Sequence, residues 1–189
     1  MQRLLMALVL SSMVGGTAVA KKMDKPTAEK TVEVGGAAMF PSKDIIDNAV
    51  NSKDHTTLVA AVKAAGLVDT LKSAGPFTVF APTNEAFSKL PAGTVEGLLK
   101  PEAKATLTKI LTYHVVAGKI DSKALINMIK KGKGTASMKT VSGGTLMAMM
   151  QGSDVILKDE NGAMSKVTIA DVYQKNGVIH VVDSVVMSK

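Results

Sequence analysis

The sequence lacks cysteine and tryptophan, and aromatic residues make up only 3% of its 189 positions. Without cysteine the chain cannot form disulfide bonds, bind a metal through thiolates or use a cysteine nucleophile. The core has to be built from Val, Leu, Ile, Ala and Met, which supply most of the 46% hydrophobic fraction. Stability must therefore come from aliphatic packing, and the length suits one domain with an additional tail.

Long apolar runs are also missing, since none reaches the roughly 20 residues needed to cross a bilayer as a helix. At the N-terminus, Arg3 precedes a mostly apolar segment over residues 4–14, and Ala-Val-Ala at 18–20 forms a small-residue cleavage pattern. This arrangement is typical of a secretory signal peptide. We expect residues 1–20 to be removed, leaving a periplasmic or extracellular protein that is soluble and has no transmembrane anchor.

Residues 21–41 contain four lysines and several turn-forming residues without sustained periodicity, which predicts a flexible N-terminal tail. Residues 42–189 are predicted to form the domain. Helical spacing is clearest over residues 56–65, where apolar residues recur at Leu58, Ala61, Val62 and Ala65. Asp54 is the predicted N-cap of this helix, and Gly66 is its predicted end. Further helices are predicted over 44–50, over 84–90, from 101 to an end between 116 and 118, and over 122–129.

The second half of the chain changes to a strand pattern. Asn-Gly at 161–162 and at 176–177 are turn signals between runs of β-branched residues. We predict strands over 77–81, 140–150 with a central turn, 155–158, 167–172 and 178–187. A helical half followed by a strand-rich half, with one early strand, predicts an α+β fold.

Three segments carry a resemblance to a known family, and they occur in its order. They are residues 75–87, the Tyr113-His114 pair and residues 176–183. These segments resemble the signatures of the fasciclin family, and the similarity extends over residues 44–187. The resemblance implies a single domain in which a wedge of β-strands packs with several helices. The motif residues predicted to be structural are Phe77, Thr78, Phe80, Pro82, Thr83, Tyr113, His114, Asn176, Gly177, His180 and Asp183.

The same resemblance implies a function in adhesion or extracellular binding, without enzymatic activity or a cofactor. The expected partner is a cell-surface or matrix protein or an anionic polysaccharide, and the expected state is a monomer or weak oligomer. Some animal members of the resembled family carry an integrin-related Asp-Ile pair, which Asp171-Val172 matches only in its Asp. Integrin binding is therefore not supported, and these two residues stay as candidate contacts.

Two motifs also have a local physical interpretation. Pro82 ends a predicted strand and Thr83 can cap the helix that follows, so together they predict a sharp strand-to-helix corner. Asn176-Gly177 predicts a tight turn with positive φ before a buried strand.

The histidines and methionines leave alternatives open. His114 and His180 lie in apolar surroundings, where they form either a metal or acid–base pair or two hydrogen-bonded buried imidazoles. We expect the second, with no metal, and we expect His55 to be solvated at a helix start. Met147 and Met149 share one predicted strand face, which suits packing, an apolar ligand such as a lipid or pigment, or soft-metal binding.

Lys130, Lys131 and Lys133 form the densest basic stretch, and the whole chain has a net charge of +7. The stretch is predicted to be either a solvated loop or a contact for an anionic glycan or lipid. Nucleic acid is not expected, because aromatic stacking partners are absent here and the protein is predicted to leave the cytoplasm.

Overall fold

The computed structural model describes residues 30–188, which form nine strands and seven α-helices. The helices are α1 (Ile45–Ala49), α2 (Thr56–Ala65), α3 (Val68–Lys72), α4 (Asn84–Ser88), α5 (Thr94–Leu98), α6 (Lys104–Tyr113) and α7 (Ser122–Lys131). The strands are β1 (Val32–Val34), β2 (Ala37–Met39), β3 (Phe77–Pro82), β4 (Val115–Ala117), β5 (Thr135–Lys139), β6 (Thr145–Gln151), β7 (Asp154–Lys158), β8 (Met164–Gln174) and β9 (Gly177–Val182). The predicted α+β class is confirmed.

Seven of the described strands form one sheet in the order β4-β3-β9-β8-β7-β6-β5. Its pairs are antiparallel except for β3 and β9, which run parallel with Phe77 opposite Gly177 and Pro82 opposite Val182. A bridge between Val116 and Thr140 joins the two edges of the sheet. The sheet therefore curls into a nearly closed wedge, in agreement with the fold that the resemblance implied.

The buried apolar residues of the described chain fall into two clusters on opposite sides of the β3–β9 pair. One cluster lies between the sheet and the helices α1, α2 and α6, with Val62, Leu111 and Ile179 among its members. The other lies inside the curled sheet beneath α7 and includes Phe80 and Leu157. Because strand side chains alternate between the two faces of a sheet, consecutive β3 residues contribute to different clusters.

The first strands correct the predicted flexible tail over residues 30–41. Residues 32–39 form an antiparallel hairpin of β1 and β2, and only 3% of the surfaces of Val34 and Met39 is exposed. Asn48 of α1 fixes the end of the hairpin, since it accepts from the Phe40 N–H at 3.0 Å and donates to the Phe40 carbonyl at 2.8 Å. The hairpin therefore belongs to the domain. The predicted signal peptide and residues 21–29 lie outside the described residues.

Two helix boundaries also differ from the prediction. Gly66 ends α2 in a left-handed conformation, as expected, but Asp54 lies in a short 3₁₀ turn and is not the N-cap. The helix α6 ends at Tyr113, before the predicted 116–118, because Val115–Ala117 pairs with β3 instead. From residue 30 to residue 188, the chain has no helix with the length and apolar character needed to cross a membrane.

Candidate functional site

The first of the three family-like segments, residues 75–87, holds a strand, a helix and a loop together. The buried Thr78 hydroxyl donates to the Gly118 carbonyl at 2.7 Å and accepts from the Ile120 N–H at 2.8 Å, which fixes the chain beyond β4. The Thr83 hydroxyl accepts from the Ala86 N–H at 3.2 Å and caps α4, as predicted. Phe80 is fully buried and stacks on His180 with the ring centroids 5.5 Å apart.

Asn84, the next residue of this motif, supplies a cap that the sequence did not reveal. Its Oδ1 accepts from the Thr57 N–H at 3.0 Å, and its Nδ2 donates to the Lys53 carbonyl at 2.8 Å. An N-terminal N–H of α2 is thereby satisfied by a side chain from another helix. The motif therefore works as scaffold.

Asn176, in the family-like segment 176–183, joins two helices to the sheet. Its Oδ1 accepts from the Ile45 N–H at 3.1 Å, at the start of α1. Its Nδ2 donates to the carbonyls of Leu71 at 2.6 Å and Ser73 at 3.2 Å, at the end of α3. One buried amide thus satisfies groups at two helix ends that would otherwise lack partners.

Gly177 corrects the interpretation of this motif as a positive-φ turn. Gly177 is not among the residues of positive φ. Instead, a Cβ at this position would lie closer than 3.0 Å to the carbonyl oxygen of Phe77, its partner in the parallel pair. Glycine is required here by the close approach of β3, because the contact is with backbone that cannot swing away.

His114 and His180 are buried and hydrogen-bonded as neutral imidazoles. His114 Nδ1 lies 2.9 Å from the Ile110 carbonyl, and its Nε2 accepts from the Val186 N–H at 3.2 Å. Burial lowers the pKa of His114 to about 4, outweighing the Ile110 carbonyl and the Asp159 carboxylate. Burial likewise lowers the pKa of His180, whose Nε2 lies 2.8 Å from the Ile120 carbonyl. His180 Nδ1 accepts from the Asp171 N–H at 3.4 Å, so all four ring nitrogens already have partners within the fold.

Tyr113 and Asp183 complete the predicted structural set. Tyr113 is fully buried, donates to the Thr145 carbonyl at 2.7 Å, and has a pKa that burial raises to about 12. Burial opposes ionisation of Asp183, but hydrogen bonds from the Lys166 N–H and the Ser184 hydroxyl, with the Lys89 ammonium, lower its pKa. Both side chains act within the fold.

Val172 is buried, and the half-buried Asp171 is hydrogen-bonded within the fold. Val172 is 1% exposed and packs in the first core cluster. Asp171 has a φ of 60°, and its carboxylate accepts from the Ser122 N–H at 2.6 Å and the Ser122 hydroxyl at 2.5 Å. Asp171 therefore anchors the start of α7 at a bulge of β8.

The predicted basic stretch lies on the surface, where α7 ends. Lys130, Lys131 and Lys133 are exposed. The Gly134 N–H reaches back to the Ile129 carbonyl at 2.9 Å, and Lys133 between them has a φ of 56°. This is the helix-ending arrangement in which glycine usually takes the left-handed position. Lysine at that position is conformationally costly, because a side chain with a Cβ is strained in the left-handed region.

We expect Lys133→Gly to increase the free energy of unfolding by up to about 1 kcal/mol, because glycine adopts positive φ without steric cost. Urea denaturation of the variant and the parent measures this difference. Lys131→Gly is the control, since Lys131 is helical and its replacement is expected to destabilise by about 1 kcal/mol. Equal effects of the two changes would contradict the assigned strain.

Met147 and Met149 lie on the half-exposed face of β6, while Leu146 and Ala148 point into the core. Their neighbours across the strands are Ser137, Lys158, Thr135 and Ile156, none of which is a soft-metal ligand. Within the part of the chain that the structure describes, no three His, Asp or Glu side chains converge where they could hold a metal ion.

An apolar cavity of about 60 Å³ lies in the first core cluster, away from these methionines. Residues of the hairpin, α1, α2, α6 and the β3–β9 pair line it, including Val34, Met39, Ile46, Val62 and Ile179. His55 also lines it and is 3% exposed, so the expectation that His55 is solvated was wrong. The lining therefore consists mostly of Val, Ile and Leu with some Ala and Phe, and Met39 is its one methionine among the described residues.

Comparisons with known proteins agree with this fold. The sequence model described as Fasciclin domain matches residues 53–188. The chain is 45% identical over 165 residues to Protein sll1483 of Synechocystis sp., covering 85% of this chain and 82% of that protein. It is 30% identical over 165 residues to the cell surface glycolipoprotein MPB83 of Mycobacterium bovis, covering 85% of this chain and 67% of that protein.

A solved structure shows the same fold. It is the FAS1 domain pair of the insect cell adhesion molecule fasciclin I, with a TM-score of 0.67 and 18% identity. The match covers 77% of this chain and 51% of that one.

Proposed function

Because the chain belongs to the fasciclin domain family, we propose that it is an exported, non-catalytic binding module that contacts anionic polysaccharide at a cell surface or in a matrix. The observation that carries this proposal is the exposed basic end of α7, formed by Lys130, Lys131 and Lys133, which we call the lysine cluster. The cell-surface name of MPB83 supports the exported location. Protein partners with acidic surfaces would use the same cluster.

Electrostatics favours this surface over the motif residues. The motif side chains are engaged in the hydrogen bonds that hold the fold, so they have little capacity left for a partner. Lys130 and Lys131 lie in the last turn of α7, where the helix dipole favours positive side chains. The dipole alone can therefore explain why lysines occur at these two positions. The dipole does not explain a lysine at position 133, because Lys133 lies beyond the helix in a backbone conformation that is unfavourable for lysine.

The test is the binding of the mature protein to an immobilised polyuronate, with neutral dextran as the reference surface. We expect the triple change Lys130→Gln, Lys131→Gln and Lys133→Gln to weaken binding about tenfold at low salt. It should also flatten the dependence of affinity on salt, because fewer counterions are displaced.

The matched control removes three positive charges from a different part of the surface, through Lys53→Gln, Lys63→Gln and Lys100→Gln. These lysines are exposed and precede, lie within or follow helices other than α7. Equal weakening in both triple variants would mean that net charge alone drives binding, and the proposed site would be wrong. Absence of polyuronate binding by the parent protein would overturn the proposal itself.

A further inference from the structure

The outer face of strands β6 to β8 carries three methionines around a buried isoleucine. Ile156 of β7 is 7% exposed, yet it belongs to neither of the two core clusters of the described chain. Met149 of β6 lies directly opposite Ile156, and Met147 is the next residue of β6 on the same face. Met164 of β8 is on this face too, because it pairs with Lys158, two residues after Ile156. We call Met147, Met149, Ile156 and Met164 the methionine face.

The three methionines point away from the core. Leu146 and Ala148, which alternate with them along β6, point inward and are fully buried. Met147 and Met149 are half-buried, and Met164 is 59% exposed, the highest value among the large hydrophobic residues at the surface of the described chain. Thioether side chains are flexible and polarisable, so together they suit an apolar partner without a fixed shape.

Lysines border the methionine face. Lys158 lies between Met147 and Met164 across the strands, and Lys166 lies opposite Ile156. Lys139, exposed at the end of β5, follows on the same face.

Two acidic side chains lie near these lysines, and both have partners in the fold. Asp154 of β7 forms an ion pair with Lys166 at 2.7 Å. The Glu160 carboxylate, in the turn after β7, accepts from the Thr145 N–H at 2.9 Å. The face therefore combines an apolar centre with a positive border.

The shape of the methionine face favours a lipid surface over a protein partner. The sheet curls around the second core cluster, so the opposite face of β6 to β8 lies on the outside of the curl and is convex. A peptide helix docks into a concave groove and an added strand pairs with a free edge, whereas these residues lie on the face of paired strands. A second copy would bring the same lysines together, and their repulsion opposes a dimer.

An anionic bilayer complements both parts of the face. Apolar side chains at its centre can enter the boundary between headgroups and acyl chains, as in proteins that lie on a membrane without crossing it. The lysines at its border can extend their ammonium groups towards lipid phosphates while their hydrocarbon stems stay in the apolar layer. Each lysine near such a surface raises the affinity by a factor of about five.

We propose that the methionine face docks the protein on the surface of a bilayer that contains anionic phospholipids, with Met147, Met149 and Met164 inserted between the headgroups. This inference goes beyond polysaccharide binding, because it uses the outer face of the sheet and not the end of α7, and because its ligand is a lipid. The two proposals can succeed or fail independently.

Methionine methyl groups report directly on the proposed contact. The mature protein labelled with ¹³C at these methyls is mixed with nanodiscs of phosphatidylcholine and phosphatidylglycerol that contain a spin-labelled lipid. We expect the signals of Met147, Met149 and Met164 to broaden, with Met164 affected most. Met39 and Met138 are 3% and 2% exposed and serve as internal references.

A double variant tests the apolar contribution without changing the charge. Met147→Ser with Met164→Ser is expected to weaken binding to vesicles of the same composition about tenfold, measured by co-sedimentation. The matched control is Phe40→Ser with Val50→Ser, which removes two apolar side chains that are 37% and 47% exposed and lie outside β5 to β8. The control should bind like the parent protein, and the parent should bind vesicles of phosphatidylcholine alone much more weakly.

The outcomes separate this proposal from its alternatives. No binding of the parent protein to anionic vesicles would overturn it, as would equal binding to neutral vesicles or equal weakening in the two double variants. Broadening that is strongest at Met128 or Met187 would place the contact elsewhere and would also overturn it. Because the methyl measurement uses the parent protein, it decides the question even if a variant does not fold. Binding to polyuronate without methyl broadening on nanodiscs would reject this proposal and leave the first one intact.

Discussion

Gly177→Ala is expected to lower the free energy of unfolding by about 3 kcal/mol or more. A methyl group at this position would overlap the carbonyl oxygen of Phe77, and nearby atoms of the Phe77 backbone also crowd it. The neighbouring strand would have to move, which would disturb the parallel pair of β3 and β9 at the centre of the sheet. Both core clusters pack against that pair, so the strain has no flexible side chain to absorb it.

Gly97→Ala is the matched control, because Gly97 is a helical glycine with open space where its Cβ would be. Alanine there is expected to stabilise the protein by about 0.5–1 kcal/mol. Urea denaturation followed by circular dichroism measures both variants against the parent. If Gly177→Ala were no more destabilising than an ordinary surface change, the close approach of β3 would not be the reason for this glycine.

The sequence pattern singles out Gly177, but the physical role that it predicts for this residue is wrong. An Asn-Gly pair between strand-like runs usually marks a turn with positive φ, and this local pattern predicts the same for Gly177. The actual requirement comes from Phe77, which is 100 positions away in the chain. Local patterns cannot reveal such a contact. The resemblance could locate the residue because it relies on whole segments and not on the geometry of one turn.

The hairpin of β1 and β2 shows a second limit of sequence reasoning. Each strand has three residues, which is too short for an alternating pattern to stand out. Its apolar residues Val34 and Met39 become meaningful only when they meet α1 and α2 in the first core cluster. The hairpin also precedes residues 44–187, over which the sequence resembles the family, so the resemblance gave no indication of it.

The candidate sites differ in how far sequence could predict them. The lysine cluster was visible as a charge pattern, although the positive φ of Lys133 was not. The cavity was invisible, since its lining comes from segments between Val34 and Ile179. His55 follows Asp54 and Lys53 in a polar stretch that indicates a solvated position, and only its contact with Ser52 and the packing of α2 bury it.

The stability of the protein is expected to fall steeply as the pH decreases from about 6.5 towards 4. The ordinary pKa of histidine in an unfolded chain is about 6.5, and burial lowers the pKa of His114 in the fold to about 4. Between pH 6.5 and pH 4, His114 is protonated in the unfolded chain but remains neutral in the folded protein. Stability is therefore complete above pH 6.5, and His114 alone removes about 3 kcal/mol by pH 4.

The other shifted groups reinforce the direction of this effect or act elsewhere. Burial lowers the pKa values of His55 and His180 as well, so both add to the loss over the same acid range. Asp183 has a lowered pKa, and its contribution is lost only below its ordinary value of 3.8. The decline between pH 6.5 and 4 is thus assigned to the histidines and not to this carboxylate.

Urea midpoints measured from pH 7.5 to pH 4.5 test this assignment. His114→Gln is the informative variant, because its amide can still donate to the Ile110 carbonyl and accept from the Val186 N–H but cannot titrate. It is expected to be less stable at neutral pH, while its stability depends less on pH by about 1.4 kcal/mol per pH unit. An unchanged slope in His114→Gln would show that His114 is not the neutral buried group described here. A parent protein equally stable at pH 7.5 and 4.5 would contradict the shifted pKa values of all three histidines, because each buried ring has to remain uncharged for the two core clusters to keep their packing.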